Sequence, residues 1–245
     1  MSTKNLWILV SVVIAVVMLA GVFGCNSQTF EPTLTSETAL APTLETEPTP
    51  ESTTEPEPTP TARILFSDDF SDASSGWDVY SDSSGWIKYE NGWLHLLNNT
   101  SSTDETDSMA NQYFTDFILE VETKLVAGTD DNWHTVGCRL DEEDSYYEFS
   151  ISADGYYRLT VWIEDVDIDP SNEPTYSSYI RQGWDVVNLI RIECIGSNLR
   201  LFANGHLLAE MDDSSISAGD IYFGVTSLAG SYSEIAFDNL VITEP

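Results

Sequence analysis

The chain has 245 residues, an apolar share of 42% and a net charge of −32, from 41 acidic against 9 basic residues. Nucleic acid is excluded as a partner, because phosphates have to be met by a basic stripe, and an anionic membrane surface suits a folded part of this charge no better. Three cysteines without a CxxC pair and three scattered histidines speak against a zinc site of the Cys/His type.

In chain order, the first element is "LWILVSVVIAVVMLAGVFG", Leu6 to Gly24, which follows Lys4 and carries no charge. It has the length of a signal-peptide core or of a spanning helix. "VFGC", Val22 to Cys25, resembles a bacterial lipobox, in which the cysteine receives lipid; Phe23 is bulkier than the usual occupant. Lipidation of Cys25, an uncleaved anchor helix and simple secretion stay open, and each puts the rest of the chain outside the cytoplasm. Residues 26–62 are dominated by Pro, Thr, Glu and Ser. Such a segment cannot bury enough apolar area to offset its ordering entropy, so a disordered stalk is expected there, held extended by its prolines.

From residue 63 to 245 the pattern is all-β. Alternation runs through "FILEVETKL" (Phe117 to Leu125), "YYRLTVWI" (Tyr156 to Ile163), "NLIRIECI" (Asn188 to Ile195) and "NLRLFANG" (Asn198 to Gly205). Each reads as a half-buried strand. Asn91-Gly92, Asp154-Gly155 and Asn204-Gly205 supply the positive φ angles of tight hairpins. The segment opens on "FSDDF" and closes on "AFDNLVI". If the first and last strands are neighbours, Phe70 and Phe237 point into a core and Asp68, Asp69 and Asp238 gather at the surface. Those aspartates are either edge residues that discourage strand pairing or ligands for a structural calcium ion.

The order "FSDDF…GW", "YENGWLHL", "DFILEVETKL", "VGCRLDEEDSYYEFSISADGYYRL", "NLIRIECIGSNLRLFANGHLL", "AFDNLVI" resembles the concanavalin A-like lectin/glucanase jelly rolls. The likeness is to the bacterial branch with laminin-G-like and keto-disaccharide-hydrolase-like domains. It implies two antiparallel sheets, one of them concave, with ligand sites on the concave face or its rim, and calcium near the paired termini in several relatives. It also implies a search for the Glu-x-Asp-x-Glu alternation that glucanases of this fold carry on one strand. "DEEDSYYEFS" (Asp141 to Ser150) reads as a turn running into a strand near Tyr146, and "IEDVDIDP" (Ile163 to Pro170), where Asp165, Asp167 and Asp169 alternate without glutamates at the catalytic spacing, as a solvated or cation-binding loop, so no catalytic residue is assigned. His134 and His206 have no nameable partner and read as structural.

Cys138 and Cys194 each alternate with apolar residues and face a core. Either they pair in an oxidising exterior, or they stay as two buried thiols. In the strand Tyr156 to Ile163 the inward set is Tyr157, Leu159, Val161 and Ile163, which leaves Arg158 and Trp162 on the other face. These two with Arg139, and Trp133, Tyr176, Tyr179 and Trp184 at strand ends or loops, are the ligand-binding candidates, because sugar rings stack on flat aromatic faces. The sequence thus reads as a lipid-anchored cell-membrane protein whose jelly roll faces the exterior and binds a glycan or other extracellular polymer without catalysis. A sugar-cleaving enzyme using carboxylates of Asp141 to Asp144 or Asp165 to Asp169, and a protein-interaction module, are the alternatives.

Overall fold

Sixteen strands and no helix make up the described residues of the structure, a computed structural model that describes residues 62–99, 105–169, 173–227 and 231–245. The expected signal segment, Cys25 and the stalk up to residue 61 lie outside them. One sheet is built from β1 (Ile64–Asp68), β2 (Tyr80–Ser81), β3 (Gly85–Glu90), β4 (Trp93–Asn98), β6 (Phe117–Gly128), β12 (Asn188–Ile195), β13 (Asn198–Ala203), β14 (His206–Asp212) and β16 (Ser233–Thr243). Its order is β14-β13-β12-β6-β16-β4-β3-β2, with β1 on β16. The other holds β5 (Glu105–Met109), β7 (Trp133–Leu140), β8 (Tyr146–Ser152), β9 (Tyr156–Ile163), β10 (Val166–Asp167), β11 (Thr175–Tyr176) and β15 (Asp220–Thr226). Its order is β10-β9-β8-β7-β15-β5, with β11 on β9. The pairings between these strands are antiparallel, and the architecture is the jelly-roll sandwich expected from the sequence.

Local chemistry explains the connections. Asn91-Gly92 and Asn204-Gly205 hold φ values of 53° and 78°, and 51° and 82°, the left-handed pair that a two-residue hairpin needs. The chain ends meet as expected: Asp68 pairs with Leu240 and Phe66 with Ile242. β16 runs the full length of β6 but shares its other edge between β4 and β1, and a bulge at Asn239 (φ 53°) makes the handover.

The two faces join through an aromatic stack. Trp77 lies flat on Phe223 at 4.7 Å and Phe223 flat on Phe237 at 4.4 Å, with Phe70 edge-on to Trp77 and Phe223. Asp68 accepts the Trp77 indole N–H at 3.0 Å and the Phe70 backbone N–H at 2.8 Å. The opening Asp-Asp-Phe and the distant tryptophan are therefore one packing unit at the sandwich corner.

Cys138 on β7 and Cys194 on β12 belong to opposite sheets. Their sulfurs face each other at 2.7 Å as free thiols, both fully buried. Mild oxidation is expected to join them, with a loss of about 2 Da, and to raise stability by roughly 4 kcal/mol for a loop of this length. Intact mass and urea melts of the oxidised and reduced protein check this; an unchanged mass after oxidation in denaturant and refolding would contradict it.

Candidate functional site

The outer face of the seven-stranded sheet is polar where the inner face is apolar. On β8, Tyr147, Phe149 and Ile151 enter the core while Tyr146, Glu148, Ser150 and Ser152 point outward. On β9, Leu159 and Val161 are core, and Arg158, Thr160 and Trp162 point outward, in the phase expected from the sequence. Yet Thr135, Glu148, Ser150, Ser152 and Thr160 are buried on that outer face. Small side chains buried at the surface of a sheet mean a trough, whose long neighbours close over its floor.

Two glycines shape that floor. A Cβ on Gly137 would sit 1.7 Å from the Tyr222 ring, and one on Gly224 would sit 2.2 Å from a carboxyl oxygen of Glu105. The Tyr222 ring and the Glu105 carboxyl thus lie in the two gaps left by missing side chains. Along the trough, Glu148 accepts hydrogen bonds from Ser150 (2.8 Å), from Arg158 (2.8 Å) and from the Trp162 indole (3.0 Å). The Ser150 hydroxyl meets that of Thr135 at 3.1 Å, and the Glu105 carboxyl accepts from the Thr226 hydroxyl at 3.3 Å. One polar chain therefore runs from Thr135 through Ser150 and Glu148 to Trp162.

Aromatic rings wall the trough. Tyr146 stacks on Trp162 at 5.8 Å, Tyr222 stands edge-on to Tyr146 at 5.5 Å, and the Arg158 guanidinium lies over the Trp133 ring at 5.1 Å. Burial, then the charges of Glu148 and Asp107, push the Glu105 carboxyl up to about 8. Burial raises Asp107 as well, and Tyr146 and Tyr222 lie above the usual phenol range from burial and the surrounding carboxylates. Five buried side-chain polar atoms among the described residues have no hydrogen-bond partner. Three of them, Tyr222 Oη, Arg158 Nε and Thr160 Oγ1, belong to this one face.

Residues 62–243 match the profile of the 3-keto-alpha-glucoside-1,2-lyase-like domain. The chain belongs to this family. The 3-keto-alpha-glucoside-1,2-lyase-like domain of this protein shares its fold with solved carbohydrate-active proteins at low identity. The carbohydrate binding module CBM66 from Bacillus subtilis is 14% identical, with a TM-score of 0.54 over 69% of this chain and 96% of that one. A GlcNAcα1-4Gal releasing endo-β-galactosidase from Clostridium perfringens is 12% identical, with a TM-score of 0.57 over 78% and 65% of the two chains. The laminarinase catalytic domain from Thermotoga petrophila is 10% identical, with a TM-score of 0.54 over 75% and 98%. No curated protein matches by sequence.

The lyase-like domain brings together Trp133, Arg158 and Trp162 of the expected ligand residues. Tyr176 and Tyr179 are exposed on the segment after β9, Tyr176 edge-on to Tyr156 and Tyr179 stacked on His206 at 3.9 Å. Trp184 is also exposed, and its indole donates to the Gly128 carbonyl beside β6. Arg139 is a correction: alternation puts it with Arg158, but a bulge at Arg139 (φ 57°) turns it under the loops. There it is 1% exposed and donates to the carbonyls of Thr115, Gly196 and Ile216 and to Asp116. His134 faces the core, bonded to Thr123 at 3.0 Å, and burial lowers its pKa to about 3.

Asp68, Asp69 and Asp238 do gather at the paired ends: Asp238 is raised by burial first, then by Glu122, Asp69 and Asp68. Among the described residues, however, only Glu90, His95 and Glu234 bring three ligating atoms within 4.8 Å of one another. Glu90 is already paired with Lys88 and Glu234 with His95. Calcium at the chain ends would therefore need backbone carbonyls and water beside the aspartates.

Glu105, Glu148, Tyr146 and Tyr222 escaped sequence reasoning. Glu105 and Asp107 do alternate on β5, and Tyr146, Glu148 and Ser150 on β8. Those alternations were the available signals.

Proposed function

We propose that the trough is a glycan-binding surface and that the domain acts from the cell exterior, tethered through its amino-terminal segment. The carrying observation is the set of three unpartnered buried polar atoms on one aromatic-walled face. A buried donor or acceptor without a partner costs about 1–3 kcal/mol, so a site built this way is completed by a polar ligand. Sugar hydroxyls suit Tyr222, Arg158 and Thr160, and sugar C–H faces suit the rings of Trp162 and Trp133. The fold likeness to a carbohydrate binding module and to two glycan-cleaving enzymes supports the same ligand class.

Binding without turnover is the first reading. One observation favours the second, cleavage: Glu105, a carboxyl held protonated near neutral pH, lies on the same face as a second buried carboxyl, Glu148, and acid–base chemistry works with such a pair. The test is calorimetry on a panel of neutral oligosaccharides that includes a 3-keto-α-glucoside, with chromatography of the same mixtures. Trp162→Ala is expected to weaken the binding of any panel member by at least about ten-fold, and Trp184→Ala by less than about two-fold. Equal losses in both would move the site off the trough. Products that vanish in Glu105→Gln and Glu148→Gln, with affinity retained, would select cleavage.

A further inference from the structure

At one end of the trough the chemistry changes from mixed to purely acidic. A cavity of about 290 Å³ is lined there by Glu105, Asp107, Asp144 and Asp165, with Tyr146 and Tyr222 as its aromatic sides. Two tight turns present the outer pair. Asp144 and Asp165 hold φ values of 56° and 62°, and the Asp165 N–H donates to the Asp144 carbonyl at 2.9 Å. Across Leu140 lies a wider depression of about 550 Å³, lined by Asp141, Glu142, Glu143, Asp220 and Tyr113. No lysine, arginine or histidine lines either one. The nearest cation on this face, Arg158, is taken by Glu148.

Acidic residues alone do not make a site. The second observation is Tyr222, which is 2% exposed, lines the smaller cavity, and has a hydroxyl without any partner although Glu105, Glu148 and Asp107 surround it. The wall is therefore incomplete as it stands. A metal ion fits poorly, because these carboxylates do not converge: no three of their oxygens lie within 4.8 Å of one another. The separated carboxylates of Asp144 and Asp165 beside an aromatic wall instead match an organic cation, whose charge sits on a carbon frame that packs on rings.

Resting on the glycan reading above, we infer that this end of the trough is a subsite for an amino sugar with a free, unacetylated amine. The ammonium faces the Asp144–Asp165 side, the ring covers Tyr146, and a sugar hydroxyl completes Tyr222. The neighbouring acidic depression extends the same preference to the next residues of a glucosamine-type polymer. Acidic glycans carrying uronate, sulfate or phosphate are repelled by the same charges.

Three oligosaccharides with one backbone and different C2 groups test this: the tetramers of β-1,4-linked glucosamine, N-acetylglucosamine and glucose. Their affinities for the full-length chain are measured by calorimetry at pH 6. The glucosamine tetramer is expected to bind at least about ten-fold more tightly than the glucose tetramer, with the preference shrinking as salt rises. Asp144→Asn/Asp165→Asn is expected to bring the ratio close to one. Asparagine tolerates the left-handed backbone at both positions, and an unchanged melting temperature shows that the fold survives. Asp72→Asn/Asp82→Asn makes the same charge change on exposed loops that line neither acidic cavity and is expected to keep the ratio.

If wild type binds the amine and glucose tetramers equally, the amine inference fails and the glycan reading stands. If none of the three binds but another neutral glycan does, the inference again fails alone; if no glycan binds at all, both fail. An equal loss in the loop control would reduce the preference to general attraction and overturn the subsite. So would a calcium-induced rise in melting temperature that disappears in Asp144→Asn/Asp165→Asn, because the carboxylates would then belong to a metal.

Discussion

Replacing Arg139 by methionine is expected to destabilise the domain by about 3 kcal/mol, although the residue touches neither the trough nor the amine subsite. The guanidinium ties together three stretches of backbone. Nη1 donates to the Gly196 carbonyl at 3.0 Å and the Ile216 carbonyl at 2.9 Å, and Nε to the Thr115 carbonyl at 3.2 Å. Nη2 reaches Asp116 at 3.3 Å. Methionine fills much of the same volume but leaves those carbonyls without a donor, and water can reach them only by loosening the loops. Lysine should rescue little, since one ammonium cannot reproduce a planar fork aimed at three acceptors. Urea titrations should show a lower midpoint with an unchanged slope. A loss below about 1 kcal/mol would mean that the loops hold themselves.

Glu105→Gln is expected to stabilise the protein in alkaline solution and to leave it unchanged in acid. The Glu105 carboxyl is raised from the usual 4.5 to about 8, so the folded state holds its proton more tightly than the unfolded chain does. The sign follows. Below pH 4.5 both states are protonated and the group's contribution is fully present. Between pH 4.5 and 8 the unfolded chain is ionised while the folded one still carries the proton, and stability falls steadily. Above pH 8 both are ionised and the loss is complete. The full shift corresponds to about 5 kcal/mol at 1.36 kcal/mol per unit. Because Glu105 keeps some solvent contact along the trough, a net effect of about 2–3 kcal/mol is expected. Glutamine cannot ionise and keeps the shape, so its stability curve should be flatter than wild type from pH 5 to 9 and lie above it at pH 9. Parallel curves would remove Glu105 from the buried floor of the trough.

The fold was legible because its signals are local. Alternation over Phe117 to Leu125 gives β6, Asn-Gly pairs give the hairpins, and matching Asp-Phe motifs at the two ends give the β1–β16 pairing. The site was legible only in part. The face assignment of Arg158 and Trp162 follows from their phase on one strand. Arg139 breaks its phase because a bulge adds a residue to β7, which alternation does not anticipate. Glu105 and Glu148 lie on one face but come from β5 and β8, with β15 and β7 between them, so a search for carboxylates alternating on one strand passes both. The unpartnered hydroxyl of Tyr222 depends on Gly137 leaving room for a ring from the neighbouring strand. That contact joins residues 85 positions apart, and no spacing rule encodes it. Cys138 and Cys194 show the same limit: each reads as core-facing, but that they meet across the sandwich is a property of how the sheets stack.

The role of the trough as a ligand surface is tested most directly by nitrogen-resolved NMR of the indole and arginine side chains during titration with the best-binding oligosaccharide. Trp162 Nε1–H, bonded to Glu148, and Arg158 Nε–H, bonded to nothing, should shift together and saturably. Trp77, locked in the core beside Asp68, and Trp184, bonded to the Gly128 carbonyl beside β6, should stay where they are. Saturable shifts centred on Trp184, with Trp162 and Arg158 unmoved, would contradict the account.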